Sequence, residues 1–184
     1  MGNKKVIWHQ VILFSLMLLL TGWRLLSGRW VFGVGVLWWW LGGVLGFVFV
    51  FFDWFVQLMV MEPNRVFDVK LSKVFKKDNI RSGLATALAE REKKTRLVMK
   101  SALFLLVWLV MGFFTLSSVA NPFGRGFMLG LGTHLVFDLV WDFFKDTIKL
   151  NNWFFLIKRT LDKEEKRWFV VIVVVLYLLI VRGL

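Results

Sequence analysis

His134, Asp138 and Asp142 stand four residues apart inside the apolar run GTHLVFDLVWDFF, residues 132–144. An α-helix turns about 100° per residue, so each step of four advances about 40° around the axis and the three side chains form one narrow polar stripe. A further ionisable residue, Asp53, interrupts a second apolar run, GFVFVFFDWF. Imidazole and carboxylate together suit zinc, manganese or iron. His134 and Asp138 can present two ligands from one helix face, Asp53 can add a third, and the positions left open can admit water. Asp142, one turn further along, is peripheral to that set. Two other readings remain open. The same groups without a metal can relay protons or ions, or can form a structural cluster in which a neutral His134 bonds a backbone carbonyl, Asp142 pairs with Lys145 and Asp53 meets a lysine.

Glycines point to what positions these groups. In one apolar run Gly35, Gly42, Gly46 and Asp53 fall within about 40° of one another on a helix, and in the other Gly126, Gly130, His134 and Asp138 rise in steps of four. Small residues at that spacing let helix backbones approach closely in lipid. The expectation is that the two helices pack glycine face to glycine face and bring Asp53 beside His134 and Asp138.

Composition sets the surroundings. Hydrophobic residues make up 58% of the 184 positions, against about 45–50% in soluble domains, and the mean hydropathy is +0.68. Apolar stretches of about 17–25 residues recur, enough to cross a hydrocarbon core of about 30 Å. The expected fold is all-α: a single integral membrane domain over residues 1–184, a polytopic bundle of about five transmembrane helices plus interfacial helices. The spans fall at about 6–26, 35–59, 98–119, 124–144 and 168–183. The first follows Lys4 and Lys5 and has no small-x-small cleavage site, so it reads as an uncleaved helix. Lysines and arginines concentrate in loops 62–97 and 145–167. That places both loops and the N-terminus in the cytoplasm and the C-terminus outside a cell membrane. The net charge of +12 is then a topology signal, and no nucleic-acid partner is expected. With no cysteine, disulfides and thiolate chemistry are excluded.

Several smaller features complete the reading. Residues 66–77 set Phe67, Leu71, Val74 and Phe75 against Lys70, Lys73, Lys76 and Lys77, which fits an interfacial helix whose lysines meet anionic lipid headgroups at the cytoplasmic face. A second helix is expected after Ser82, and NNWFFLIKRT, too short to cross, is expected to dock at the interface. Trp38, Trp39 and Trp40 read as an interfacial cluster, and His9 as interfacial at the cytoplasmic end of the first span. Glu62, Asn64 and Asp68 read as an ordinary loop start. An odd number of spans leaves room for a homo-oligomer or a membrane partner.

The patches GFVFVFFDWF and GLGTHLVFDLVWD resemble a family of predicted inner-membrane metal-dependent hydrolases, whose members carry an aspartate after a glycine-rich apolar run and a later Gly-x-x-(Ser/Thr)-His-Leu-x-x-Asp segment. The matching positions are Asp53, Thr133, His134 and Asp138. The early His/Arg-Thr-His pattern of that family and a second aspartate around Asp53 are absent. The resemblance implies a membrane-embedded site that uses a divalent metal to hydrolyse a lipid-linked or membrane-proximal substrate. The alternative is a non-enzymatic scaffold or a transporter or channel subunit whose polar cluster is structural or conducts protons or ions.

Overall fold

The computed structural model describes residues 2–53, 97–118, 121–145 and 147–184. The helix expected over 66–77, the one after Ser82, the residues around Glu62 and the distal part of the second span lie outside the described residues. What is described is helical and contains no strand. The order is α1 (Gly2–Leu26), α2 (Val34–Phe49), α3 (Ala102–Ser117), α4 (Pro122–Lys145), α5 (Thr147–Asn152) and α6 (Lys163–Gly183).

The helix starts follow local chemistry. The Ser101 side chain accepts from the Phe104 amide at 3.2 Å, so α3 begins at Ala102 and not at the expected 98. This N-cap leaves Met99 and Lys100 in a turn. The Asn121 side chain accepts from the Gly124 amide at 2.8 Å, with Pro122 in the first turn of α4, where its missing N–H costs nothing. Asp162 and Glu165 form a reciprocal capping box, which starts α6 ahead of the expected 168.

α4 is the hub and packs against each of the other described helices. Its closest partner is α2, and the glycine faces are the reason. A methyl group on Gly42 or Gly46 would fall on the carbonyls of Phe123 or Phe127, and one on Gly126 or Gly130 would fall on the carbonyls of Trp39 or Gly43. The two backbones touch, as the spacing of small residues requires. Gly43, about 100° around α2 from Gly42, opens a second smooth face where Met17 of α1 seats. α3 joins through Trp108, whose indole N–H donates to the Met128 carbonyl at 3.1 Å while its ring lies against Gly132. α6 joins through Tyr177, whose hydroxyl hydrogen-bonds Thr133 at 2.8 Å.

α4 is enclosed through its middle, whereas the outward faces of α1, α2, α3 and α6 are apolar. Leu19 is 71% exposed, Leu37 69%, Phe114 64% and Leu178 58%. By length and composition two described helices are able to cross a membrane, Ile7–Leu26 within α1 and the whole of α4; α2 and α3 are shorter apolar helices. Of the tryptophans expected at an interface, Trp38 is half exposed but Trp39 is fully enclosed, because α2 turns it inward toward Arg24.

Candidate metal centre

His134 and Asp138 lie one turn apart on α4, and α1 brings His9 to them. One ligand atom from each of the three falls within 4.8 Å of the others, and all three residues are buried. α1 delivers His9 because its inward face, His9, Leu13, Met17 and Thr21, repeats every four residues, and Met17 on that face meets Gly43. His9 Nε2 is 3.0 Å from Asp138 Oδ1. His134 Nε2 is 3.6 Å from Asp138 Oδ2. The Lys100 ammonium, in the turn before α3, pairs with that same Oδ2.

The other edge of His134 fixes its orientation. Its Nδ1 lies 2.9 Å from the Phe47 carbonyl of α2. A carbonyl only accepts, so Nδ1 carries a proton and the ring turns Nε2 toward Asp138. Phe47 and Phe51 pack on the same ring, with centroids at 4.6 Å and 5.3 Å. The His9 ring lies 4.8 Å from His134 and 4.1 Å from Phe137. Aromatic rings thus wall the two imidazoles and restrict their rotation.

Asp53 is buried at the same end of the bundle, but it stands beside the three-residue group and outside it. Its Oδ2 accepts from the Met99 amide at 2.8 Å, adjacent to the lysine that pairs with Asp138. α2 itself ends at Phe49, and the amides of Phe51 and Asp53 bond back three residues, to Val48 and Val50. Residues 50–51 form a turn and the chain is helical again at 52–53, so the 100° arithmetic that aligned Asp53 with the glycine face is interrupted before it reaches Asp53. Asp142 also lies outside the group. It is buried and accepts from the Trp153 indole at 3.1 Å, and Lys145 is exposed. Trp153 is itself enclosed and its carbonyl accepts from the Ala102 amide at 2.8 Å, so NNWFFLIKRT docks into the protein at its tryptophan. Thr133 bonds the Leu129 carbonyl at 2.7 Å and Tyr177, on the α6 side of α4.

Sequence reasoning missed two participants. His9, at the cytoplasmic end of the first span, reads as interfacial; its spacing to Leu13, Met17 and Thr21 is the signal that turns it inward. Lys100 was placed within a span, although Ser101, followed by an apolar run, marks a helix start behind it.

The donor set of two imidazole nitrogens and a carboxylate is one that zinc, manganese or iron accepts. Phe47 supplies the outer hydrogen bond that metal-ligating histidines characteristically make through their second nitrogen. No protein-family model, no curated protein and no solved structure matches this chain.

Proposed function

We propose that the chain is a polytopic membrane protein with a buried divalent-metal site at His9, His134 and Asp138, and that the site serves hydrolysis of a lipid-linked or membrane-proximal substrate. The observation that carries the metal reading is the convergence of one ligand atom each from the buried His9, His134 and Asp138 within 4.8 Å. With Nδ1 donating to Phe47, Nε2 of His134 is held toward Asp138 Oδ2 at 3.6 Å. His9 Nε2 reaches the other oxygen, Oδ1, at 3.0 Å, so both oxygens of Asp138 are faced by an imidazole nitrogen.

When bound, the metal supplies Lewis acidity and lowers the pKa of coordinated water. The chain's own residues do the rest. Phe47 holds the His134 ring in one orientation, and Asp138 contributes the negative charge that offsets a dication. Lys100 pairs with Asp138 but has a side chain about one-fifth exposed. It can yield that oxygen to a metal and remain nearby as a positive group for negative charge developing on a substrate oxygen. The hydrolytic class rests on the resemblance at Asp53, Thr133, His134 and Asp138.

The membrane reading is supported by the two long apolar helices and by the outward apolar faces around an enclosed α4; soluble monomers rarely expose contiguous apolar patches beyond a few hundred Å². Five crossings, with the N-terminus cytoplasmic and the C-terminus outside, follow from the basic loops 62–97 and 145–167.

The test is metal analysis of tag-free protein in detergent micelles. Wild type should take up close to one equivalent of zinc or manganese. His9→Ala and His134→Ala should bind at least about tenfold more weakly, and Lys100→Met more tightly, because a competing cation is gone. Absence of metal uptake by wild type, or wild-type affinity in both histidine variants, sinks the metal site and leaves a structural polar cluster. If metal binds but no ester or phosphoester substrate is turned over, the hydrolytic part fails alone.

A further inference from the structure

A second group of buried polar residues, at the opposite ends of α1 and α4, plays no part in the metal centre. Arg24 lies in the last turn of α1, about 22 Å along the axis from His9 at about 1.5 Å per residue. It is only 9% exposed. Its guanidinium carbon is 4.5 Å from the ring centroids of both Trp30 and Trp39, and those indoles meet edge to face at 5.4 Å. Arg125 enters from the first turn of α4, next to Gly126, whose bare Cα lets α4 close onto the Trp39 carbonyl.

Arg24 Nη1, Trp39 Nε1 and Arg125 Nε are all buried without a hydrogen-bond acceptor among the described residues. The charged groups that act on Arg24 are Arg125 and Arg29, both cations. The flanking sequence offers them few carboxylates: residues 1–52 and 93–137 contain no aspartate or glutamate. Contact with two indole faces offsets part of the cost of burying Arg24, but an indole face neither neutralises the positive charge nor gives the buried N–H groups an oxygen acceptor. Buried charges persist when they are paired.

We infer that the junction of α1, α2 and α4 at Arg24, Trp39 and Arg125 is a binding site for a phosphate group. A guanidinium fork matches phosphate oxygens in shape and charge, and a third, neutral donor on Trp39 adds to the fork. The surroundings suit a phosphate that carries acyl chains, since Leu26, Val31 and Phe32 stand almost fully exposed beside the site and indoles favour the headgroup level of a bilayer. Inorganic phosphate offers the same oxygens without the chains, so the two sources are separable.

The experiment uses the full-length chain, delipidated in a non-ionic detergent. Inorganic phosphate, a short-chain phosphatidylglycerol and the matching diacylglycerol are titrated separately by calorimetry. Wild type should bind a phosphate-bearing probe at about one per chain and ignore diacylglycerol. Arg24→Gln should bind at least about tenfold more weakly, the worth of a hydrogen bond to a charged group. Trp39→Phe, which keeps an aromatic face but removes the N–H, should lose several-fold. Binding of the lipid alone identifies a headgroup site; binding of both probes with similar affinity identifies a site for the phosphate itself. Without ligand, Arg24→Gln should unfold at a higher temperature than wild type, because the uncompensated charge is gone, and added ligand should reverse the order. If Arg24→Gln fails to fold, Trp39→Phe and Arg125→Gln carry the same comparison. Failure of wild type to bind either phosphate probe, or wild-type affinity in the variants that fold, overturns the proposal.

Discussion

Gly130→Ala tests whether the backbone contact of α2 and α4 governs both stability and the site. An added Cβ would fall on the Gly43 carbonyl oxygen, 2.8 Å from its carbon and 2.9 Å from the Phe47 amide nitrogen. Carbon contacts settle at about 3.5–4.0 Å, so α2 must retreat by roughly 1 Å. No side chain can rotate to relieve this, because every atom it meets is backbone. Overpacking of this kind costs about 1–3 kcal/mol, with the rigid case near the top. Alanine returns about 1 kcal/mol of helix propensity, for a net loss of about 2 kcal/mol. Gly22→Ala on α1 is the control, since its Cβ meets nothing within 4 Å and it should gain up to about 1 kcal/mol. The same chemical change should therefore differ by about 3 kcal/mol between the two positions in reversible unfolding from detergent micelles. The retreat of α2 also takes the Phe47 carbonyl away from His134 Nδ1, now 2.9 Å distant. Losing such an outer hydrogen bond lowers metal affinity by about 10–100-fold. Equal stability of the two variants, or unchanged zinc affinity in Gly130→Ala, would refute the coupling between the glycine contact and the metal centre.

Three further outcomes are expected. Asp53→Ala strands the buried Met99 amide and should cost about 1–3 kcal/mol while leaving metal stoichiometry at the wild-type value; loss of metal would return Asp53 to the ligand set. Thr133→Val should cost more than Tyr177→Phe, because Tyr177 depends on Thr133 for its buried bond whereas Thr133 also bonds Leu129. The expected values in denaturant titrations are about 1–3 kcal/mol against about 0.5–1.5 kcal/mol. Reporter fusions at Lys76 and at Leu184 should read opposite sides of the membrane, and signals from the same side would defeat the five-span topology.

Legibility in the sequence ended where a regular helix ended. The contact of α2 with α4 was readable because Gly42, Gly46, Gly126 and Gly130 stay in register on uninterrupted helices, and a period-four glycine stripe has few other uses in a chain this apolar. His134 and Asp138 were readable for the same reason: nothing between them departs from 100° per residue. Asp53 lies past the end of α2 at Phe49, beyond a turn whose Phe51 amide bonds the Val48 carbonyl, so a regular extrapolation along α2 does not fix where its carboxylate goes, and it meets the Met99 amide. Lys100 was hidden by the opposite error, since the Ser101 cap stops α3 short and turns two residues counted as helix into partners for Asp53 and Asp138. His9 was the costliest omission. Its face on α1 has no glycine to announce it; the smooth surface it needs is on α2, at Gly43, where Met17 packs. A doubled glycine offers two faces about 100° apart, and a helix with two smooth faces can receive two neighbours. Taken with a four-residue apolar period running from a histidine, the Gly42–Gly43 pair was sufficient to bring α1 against α2 and carry His9 inward beside His134.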